Sequence, residues 1–208
     1  MNEMLKKHPL LAICKEDILE AFSIMSKSFH GGGKLLVCGN GGSAADSEHI
    51  VGELMKGFLQ RRKIPDSARK KIMEVSPENG ALISERLQSA LPAISLVSQT
   101  SLVSAFANDV DPSLVFAQQV YGYGKAGDVF FGISTSGNSK NVLYAAEVAK
   151  AMGLKTIALT GESGGLLKNI CDCTIKAPSS STSEIQEFHL PIYHNLCLML
   201  ETEFFGGE

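Results

Sequence analysis

The sequence has no tryptophan, no CxxC cysteine pair, no long apolar run and no excess of either charge. Its 208 residues carry 19 Lys and Arg against 22 Asp and Glu, a formal charge of -3. A chain so balanced lacks the basic footprint of a nucleic-acid binder. Its two local basic runs, Gln60-Arg61-Arg62-Lys63 and Arg69-Lys70-Lys71, read as solvated helix faces. No stretch approaches the roughly 20 apolar residues of a membrane span, so no membrane partner is expected. The N-terminal Met1-Asn2-Glu3-Met4-Leu5-Lys6-Lys7-His8 leads into a short apolar patch that Lys15, Glu16 and Asp17 interrupt, unlike a signal peptide. Five cysteines are an odd number, and Cys171-Asp172-Cys173 is too cramped for the usual zinc-ligand spacing. All five read as reduced thiols, which makes the cytoplasm the expected address. Nucleotide fingerprints are missing too. The third glycine of a G-x-G-x-x-G begun at Gly39 would fall on Ala44, and no loop carries the Gly-Lys pair of a P-loop, so no nucleotide cofactor is expected.

What the sequence does have is two Gly/Ser loops, each directly after an apolar run. Leu35-Leu36-Val37-Cys38 enters Gly39-Asn40-Gly41-Gly42-Ser43, and Val129-Phe130-Phe131-Gly132-Ile133 enters Ser134-Thr135-Ser136-Gly137-Asn138-Ser139. Glycines let backbone N–H groups approach an anion, hydroxyls add donors, and a following helix N-terminus adds unpaired amides and a favourable dipole. The ligand this chemistry points to is a phosphate, and a sugar phosphate fits best. The bland alternative is that these residues only make turns and helix caps.

The same strand, loop, helix unit recurs along the chain. Apolar residues from Ile18 to Phe29 step by three and four before Gly31-Gly32-Gly33 stops the pattern, predicting an amphipathic helix. Strands are predicted at 35–38, 93–97, 128–133, 155–160 and 174–177, with helices at 44–59, 141–152 and 184–205. The expected fold is α/β: a doubly wound, mostly parallel five-stranded sheet with helices on both faces, in one domain spanning 1–208. The polar stretch 61–91, with Pro65 and Pro77, reads as an atypical, partly helical insertion and is assigned no chemistry. Ligands of such sheets gather beyond the carboxyl ends of the strands, where both loops fall.

Two helices carry further candidates. His49 and Glu53 are four residues apart and share a helix face, as a metal ligand or base, or as an ordinary i,i+4 polar pair. On the last helix His189 and His194 point about 140° apart, so at most one faces a shared site. Pro191 predicts a kink between them, and Gln186 has a second reading as the N3 partner of a capping box begun by Ser183.

Taken together, these residues resemble the sugar isomerase, or SIS, domain family, and within it the phosphoheptose isomerases. The resemblance is carried by Cys38-Gly39-Asn40-Gly41-Gly42-Ser43, His49 with Glu53, Gly132 to Ser139, and Ile185-Gln186-Glu187-Phe188-His189 followed by His194. It implies ketose/aldose isomerisation of a sugar phosphate, sedoheptulose 7-phosphate being the first choice. A noncatalytic phosphosugar-binding regulator and an isomerase of another sugar phosphate are the alternatives. By resemblance Glu53 and His194 are the acid/base pair. Ser43, Ser134, Thr135, Ser136 and Ser139 hold the phosphate, and Asn40, Asp109 and Gln186 contact sugar hydroxyls. Asn108-Asp109 is equally a plain turn or cap. Some members bind zinc through residues matching His49, Glu53, Gln186 and His194, and the family forms homotetramers. The chain departs from the family at Gly57, where an arginine is common, with Lys56 beside it.

Overall fold

In the computed structural model, which describes residues 1–206, α1 (Asn2–Lys7) and a 3₁₀ turn (Pro9–Cys14) precede α2 (Lys15–His30). Then follow β1 (Leu35–Cys38), α3 (Gly42–Met55), α4 (Asp66–Val75), α5 (Gly80–Arg86), β2 (Ala93–Ser95) and α6 (Thr100–Asp109). The remainder is α7 (Val115–Tyr123), β3 (Val129–Ile133), α8 (Lys140–Ala151), β4 (Lys155–Thr160), α9 (Leu167–Ile170), β5 (Cys173–Lys176) and α10 (Thr182–Phe205).

The five strands form one parallel sheet in the order β2-β1-β3-β4-β5. Parallel sheets are buried on both faces, which is why the strands read as nearly unbroken apolar runs. Successive side chains divide between two cores. Leu35, Val37, Phe131, Ile157 and Leu159 pack beneath α2, α3 and α10, whereas Leu36, Cys38, Phe130 and Ala158 pack beneath α7 and α8. On the second face Gly132 and the small side chains Ala145, Ala146 and Ala149 let α8 lie close: a Cβ on Gly132 would sit 2.8 Å from Val142.

The chain leaves β1 toward β2 on one side and reaches β3, β4 and β5 on the other. The order therefore reverses between β1 and β3, and such a switch point opens a crevice at the strands' carboxyl ends. The first two loops border that crevice.

Segment 61–91 is partly helical: α4 and α5 pack on each other, with Gly80 close against Met73. One part of it differs from the sequence reading. Arg62 is not on a solvated face but is 2% exposed, bonded to Glu201, to the carbonyls of Glu53 and Leu54, and stacked 4.7 Å over Phe205. Its partner lies 139 residues away, so no local pattern announces the burial. The last helix also runs unbroken through Pro191. Contacts of Ile192, Tyr193, Leu196 and Leu200 with the sheet side of the core offset the roughly 3 kcal/mol that an interior proline costs.

Candidate active site

The first loop turns at Gly41, whose φ of 57° is a left-handed conformation that glycine adopts without strain, and delivers buried Ser43 to the first turn of α3. The second loop leaves β3 with Ser134 buried and its hydroxyl 3.0 Å from that of Ser139, the residue that caps α8. Ser136 accepts from the Asn138 amide, and Thr135 is half-buried between them. Each loop thus sits on the N-terminus of a helix longer than three turns. The two are joined across the crevice by a reciprocal amide pair, Asn40 with Asn141, both bonds 2.9 Å. The β4 loop closes the side: Asn138 accepts from the Leu166 amide, and Gly137 lies so near Gly164 that a Cβ would be 2.3 Å from its carbonyl oxygen.

Farther along α3, His49 and Glu53 meet α10. His49 Nε2 is 3.3 Å from Glu53 Oε1 and 3.5 Å from His194 Nε2. Glu53 is buried, and its other oxygen accepts from Lys56 at 3.2 Å. Lys56 also donates to the Gly57 carbonyl, so the departure at Gly57 leaves a lysine beside the carboxylate. Burial, and then His49, hold the His194 imidazole below its usual value while Glu53 pulls the other way, which favours a neutral ring near pH 7. Gln186 reaches the crevice from one turn inside α10: its side-chain amide lies against Gly42, where a Cβ would be 2.5 Å from Nε2. The helix is capped at Ser181, so Ser183 is not the N-cap and the capping-box reading of Gln186 falls.

Of the residues singled out in the sequence, the fold brings Asn40, Ser43, Ser134, Thr135, Ser136 and Ser139 to the two adjoining loops. It gathers His49, Glu53 and His194 where α3 meets α10, and sets Gln186 against Gly42 at the first loop. Asp109 is not among them. It is exposed at the end of α6, and its carboxylate accepts from neighbouring Asn108 at 2.9 Å. His189 turns away from the site, as the helical angle predicts. It is fully buried, its Nε2 donates to the Thr160 carbonyl at 3.2 Å, and burial lowers its pKa to about 4.

Two contributors carry no role in the sequence reading. Tyr193 lies 3.0 Å from His49 Nδ1 and donates to Asp46 at 3.2 Å. Burial, then Asp46, push the phenol's pKa up, and burial raises that of Asp46. The spacing of Asp46 three residues before His49, on one helix face, was the available signal.

The donor types here suit zinc. His49 Nε2 stands 3.3 Å from Glu53 Oε1 and 3.5 Å from His194 Nε2, which brings together nitrogen and oxygen donors of the kind zinc takes. Among the described residues, however, no group of three or more His, Cys, Asp or Glu side chains is placed to hold a metal.

Comparison with known proteins gives this geometry its context. A family model described as SIS domain matches residues 9–73 and 67–161. The chain belongs to the SIS domain family. Relatives of this SIS domain include the phosphoheptose isomerase of Akkermansia muciniphila, 36% identical over 197 residues, which cover 95% of this chain and 90% of the relative. That of Nitratiruptor sp. is 44% identical over 171 residues, covering 82% and 78%. Among solved structures, phosphoheptose isomerases from Neisseria gonorrhoeae and Francisella tularensis each align at a TM-score of 0.76 and 32% identity over 97% of this SIS domain. The match covers 94% and 96% of those chains.

Proposed function

We propose that the protein is an aldose-ketose isomerase that converts sedoheptulose 7-phosphate to D-glycero-D-manno-heptose 7-phosphate. The observation that carries the reading is the meeting of Glu53, His49 and His194 where α3 and α10 pack, on the same helix whose N-terminus carries the first Gly/Ser loop. The names and near-complete overlap of the relatives support the heptose substrate.

Ser43, Ser134, Thr135, Ser136 and Ser139 hold the phosphate, with the dipoles of α3 and α8 adding to the attraction. Asn40 and Gln186 contact sugar hydroxyls, and Asp109 would do so only by approaching from elsewhere in an assembly. Glu53 lifts a proton from the ketose C1 while the neutral His194 gives its N–H proton to the carbonyl oxygen, forming an enediol. His194 then takes back the C1 hydroxyl proton as Glu53 returns its proton to C2, which yields the aldose and restores both groups. A positioned acid or base of this kind contributes roughly 10²–10⁴-fold.

Zinc on His49, Glu53, Gln186 and His194 is part of the proposal; when bound it would polarise the substrate carbonyl. Metal analysis of the purified protein tests it. A homotetramer is also proposed, supported by exposed apolar side chains such as Val75 and Leu82 on α4 and α5, and light scattering tests that. No helix among the described residues is long and apolar enough to cross a membrane, and the five free cysteines support a cytoplasmic address.

The deciding assay incubates the protein with sedoheptulose 7-phosphate and follows the aldose by NMR. Conversion is expected. If another sugar phosphate isomerises and the heptose does not, the substrate is wrong; if ligands shift the melting temperature but none isomerises, the noncatalytic alternative holds.

A further inference from the structure

Glu53 stands in the last turn of α3, which ends at Met55. A helix leaves its last four carbonyls without intrahelical partners, and amides of the residues that follow commonly close the end. Here the chain leaves extended at Lys56 and those amides turn elsewhere: Gly57 donates to the Gln88 side chain, and Phe58 and Leu59 donate to Glu201. The carbonyls are met from farther along the chain. Arg62 donates to Glu53 at 3.0 Å through one terminal nitrogen and to Leu54 at 2.8 Å through the other, while its Nε donates to Glu201 at 2.9 Å. We infer that Arg62, braced by Glu201, is a positioning residue that caps α3 and holds Glu53 against the helix carrying His194.

A guanidinium is a rigid planar fork, so seating one nitrogen on Glu201 fixes where the other two reach. Its positive charge also suits the negative end of the α3 dipole. Glu201 lies about two turns beyond His194 on α10, so both side chains leave one face of that helix. Cys197, between them on that face, is buried, as are Arg62 and Glu201. In so dry a seam the hydrogen bonds of the clamp are strengthened, and removing their donor leaves carbonyls of the last turn underpaired. The spacing of base and acid is thus set from behind, by the brace, as well as by their own contacts. Segment 61–91 bears on the site through Arg62.

The contacts carry the anchoring; its consequence for turnover rests on the isomerase reading. The test compares Arg62→Met with Leu154→Ala, which opens a cavity in the second core just before β4, at the amino end of that strand, and so lowers stability without touching the clamp. Both are assayed below their melting temperatures. Amide exchange at residues 53–55, corrected for global opening read from Leu36 and Val37 of β1, should be at least about tenfold faster in Arg62→Met than in Leu154→Ala. With sedoheptulose 7-phosphate, Arg62→Met should lower kcat by about 10–100-fold while KM stays within about threefold, and Leu154→Ala should keep both within about threefold. If Arg62→Met does not fold, Arg62→Lys takes its place with the same expectations, because an ammonium can stay near Glu201 but cannot span both carbonyls. Equal corrected exchange in the two variants would overturn the inference, as would an equal loss of kcat in both. A selectively loosened last turn in a protein that isomerises no sugar phosphate would retain the anchor and discard the isomerase reading. Wild-type kcat in an active enzyme whose last turn has loosened would overturn the positioning role and retain the isomerase.

Discussion

Adjacent arginines in segment 61–91 should respond to the same substitution in very different ways. Arg62 is buried, with Nε bonding Glu201 at 2.9 Å and the two terminal nitrogens bonding the carbonyls of Leu54 and Glu53 at 2.8 and 3.0 Å. Its removal in Arg62→Met leaves a carboxylate that is 1% exposed and strips one donor from each carbonyl. Breaking a buried pair by removing one partner costs about 3–5 kcal/mol. The lower end applies, because the Phe58 and Leu59 amides still donate to Glu201 at 2.8 and 2.9 Å and Leu54 still accepts from Leu91. Those amides and Arg62 are also what hold the Glu201 carboxyl below the usual range against the opposing effect of burial. At an unfolding entropy of about 2.1 cal/mol/K per residue, a loss of about 3 kcal/mol lowers Tm by about 7 °C. Arg61 is exposed and among the described residues bonds only the Glu85 carbonyl, so Arg61→Met should stay within about 0.5 kcal/mol of wild type. Because Arg62 holds the main chain at Glu53, turnover should fall as well. Calorimetry on the two variants decides the matter: equal melting temperatures would refute the buried-anchor argument.

Three further perturbations test other parts of the account. His189 is neutral when folded, with a pKa lowered from 6.5 to about 4 by burial, so its contribution is fully present above pH 6.5 and is lost as pH falls toward 4. Integrating that difference gives about 2.5 kcal/mol of stability lost between pH 7.5 and 4.5, and urea unfolding should show a shallower pH dependence in His189→Gln; equal slopes would count against it. Gly137→Ala forces a side chain onto a φ of 66° and into the Gly164 carbonyl, so it should cost more than about 2 kcal/mol and weaken the sugar-phosphate thermal shift. Gly122→Ala, in open space on α7, should instead stabilise by about 0.5–1 kcal/mol, and a matching loss in both variants would show the loop packing to be irrelevant.

Much of this fold is legible in the sequence because a buried parallel sheet writes itself as short apolar runs. The prediction for β4, 155–160, coincides with the structure, and the other strands agree within two residues at either end. The angular argument on α10 separates His194 from His189 correctly, since helical geometry fixes direction regardless of what the face meets. Other features depend on partners distant in the chain. Arg62 looks like part of a surface basic run until Glu201 is placed beside it, and Gln186 fits a capping box until the N-cap falls at Ser181 and the helix begins at Thr182. Pro191 sits inside α10, which continues as helix on both sides of it. Tyr193 hides in an apolar stripe; only its hydroxyl, read together with Asp46 across two helices, shows what it bonds.

The central claim is that Glu53 moves the proton in a sugar phosphate held by the two loops. Wild-type protein and Glu53→Gln, compared on sedoheptulose 7-phosphate by NMR with binding followed in parallel by thermal shift, test it most directly. The account predicts aldose from the wild type, a loss of at least about 10²-fold in the variant, and a retained ligand shift in both. Wild-type turnover by Glu53→Gln would contradict it.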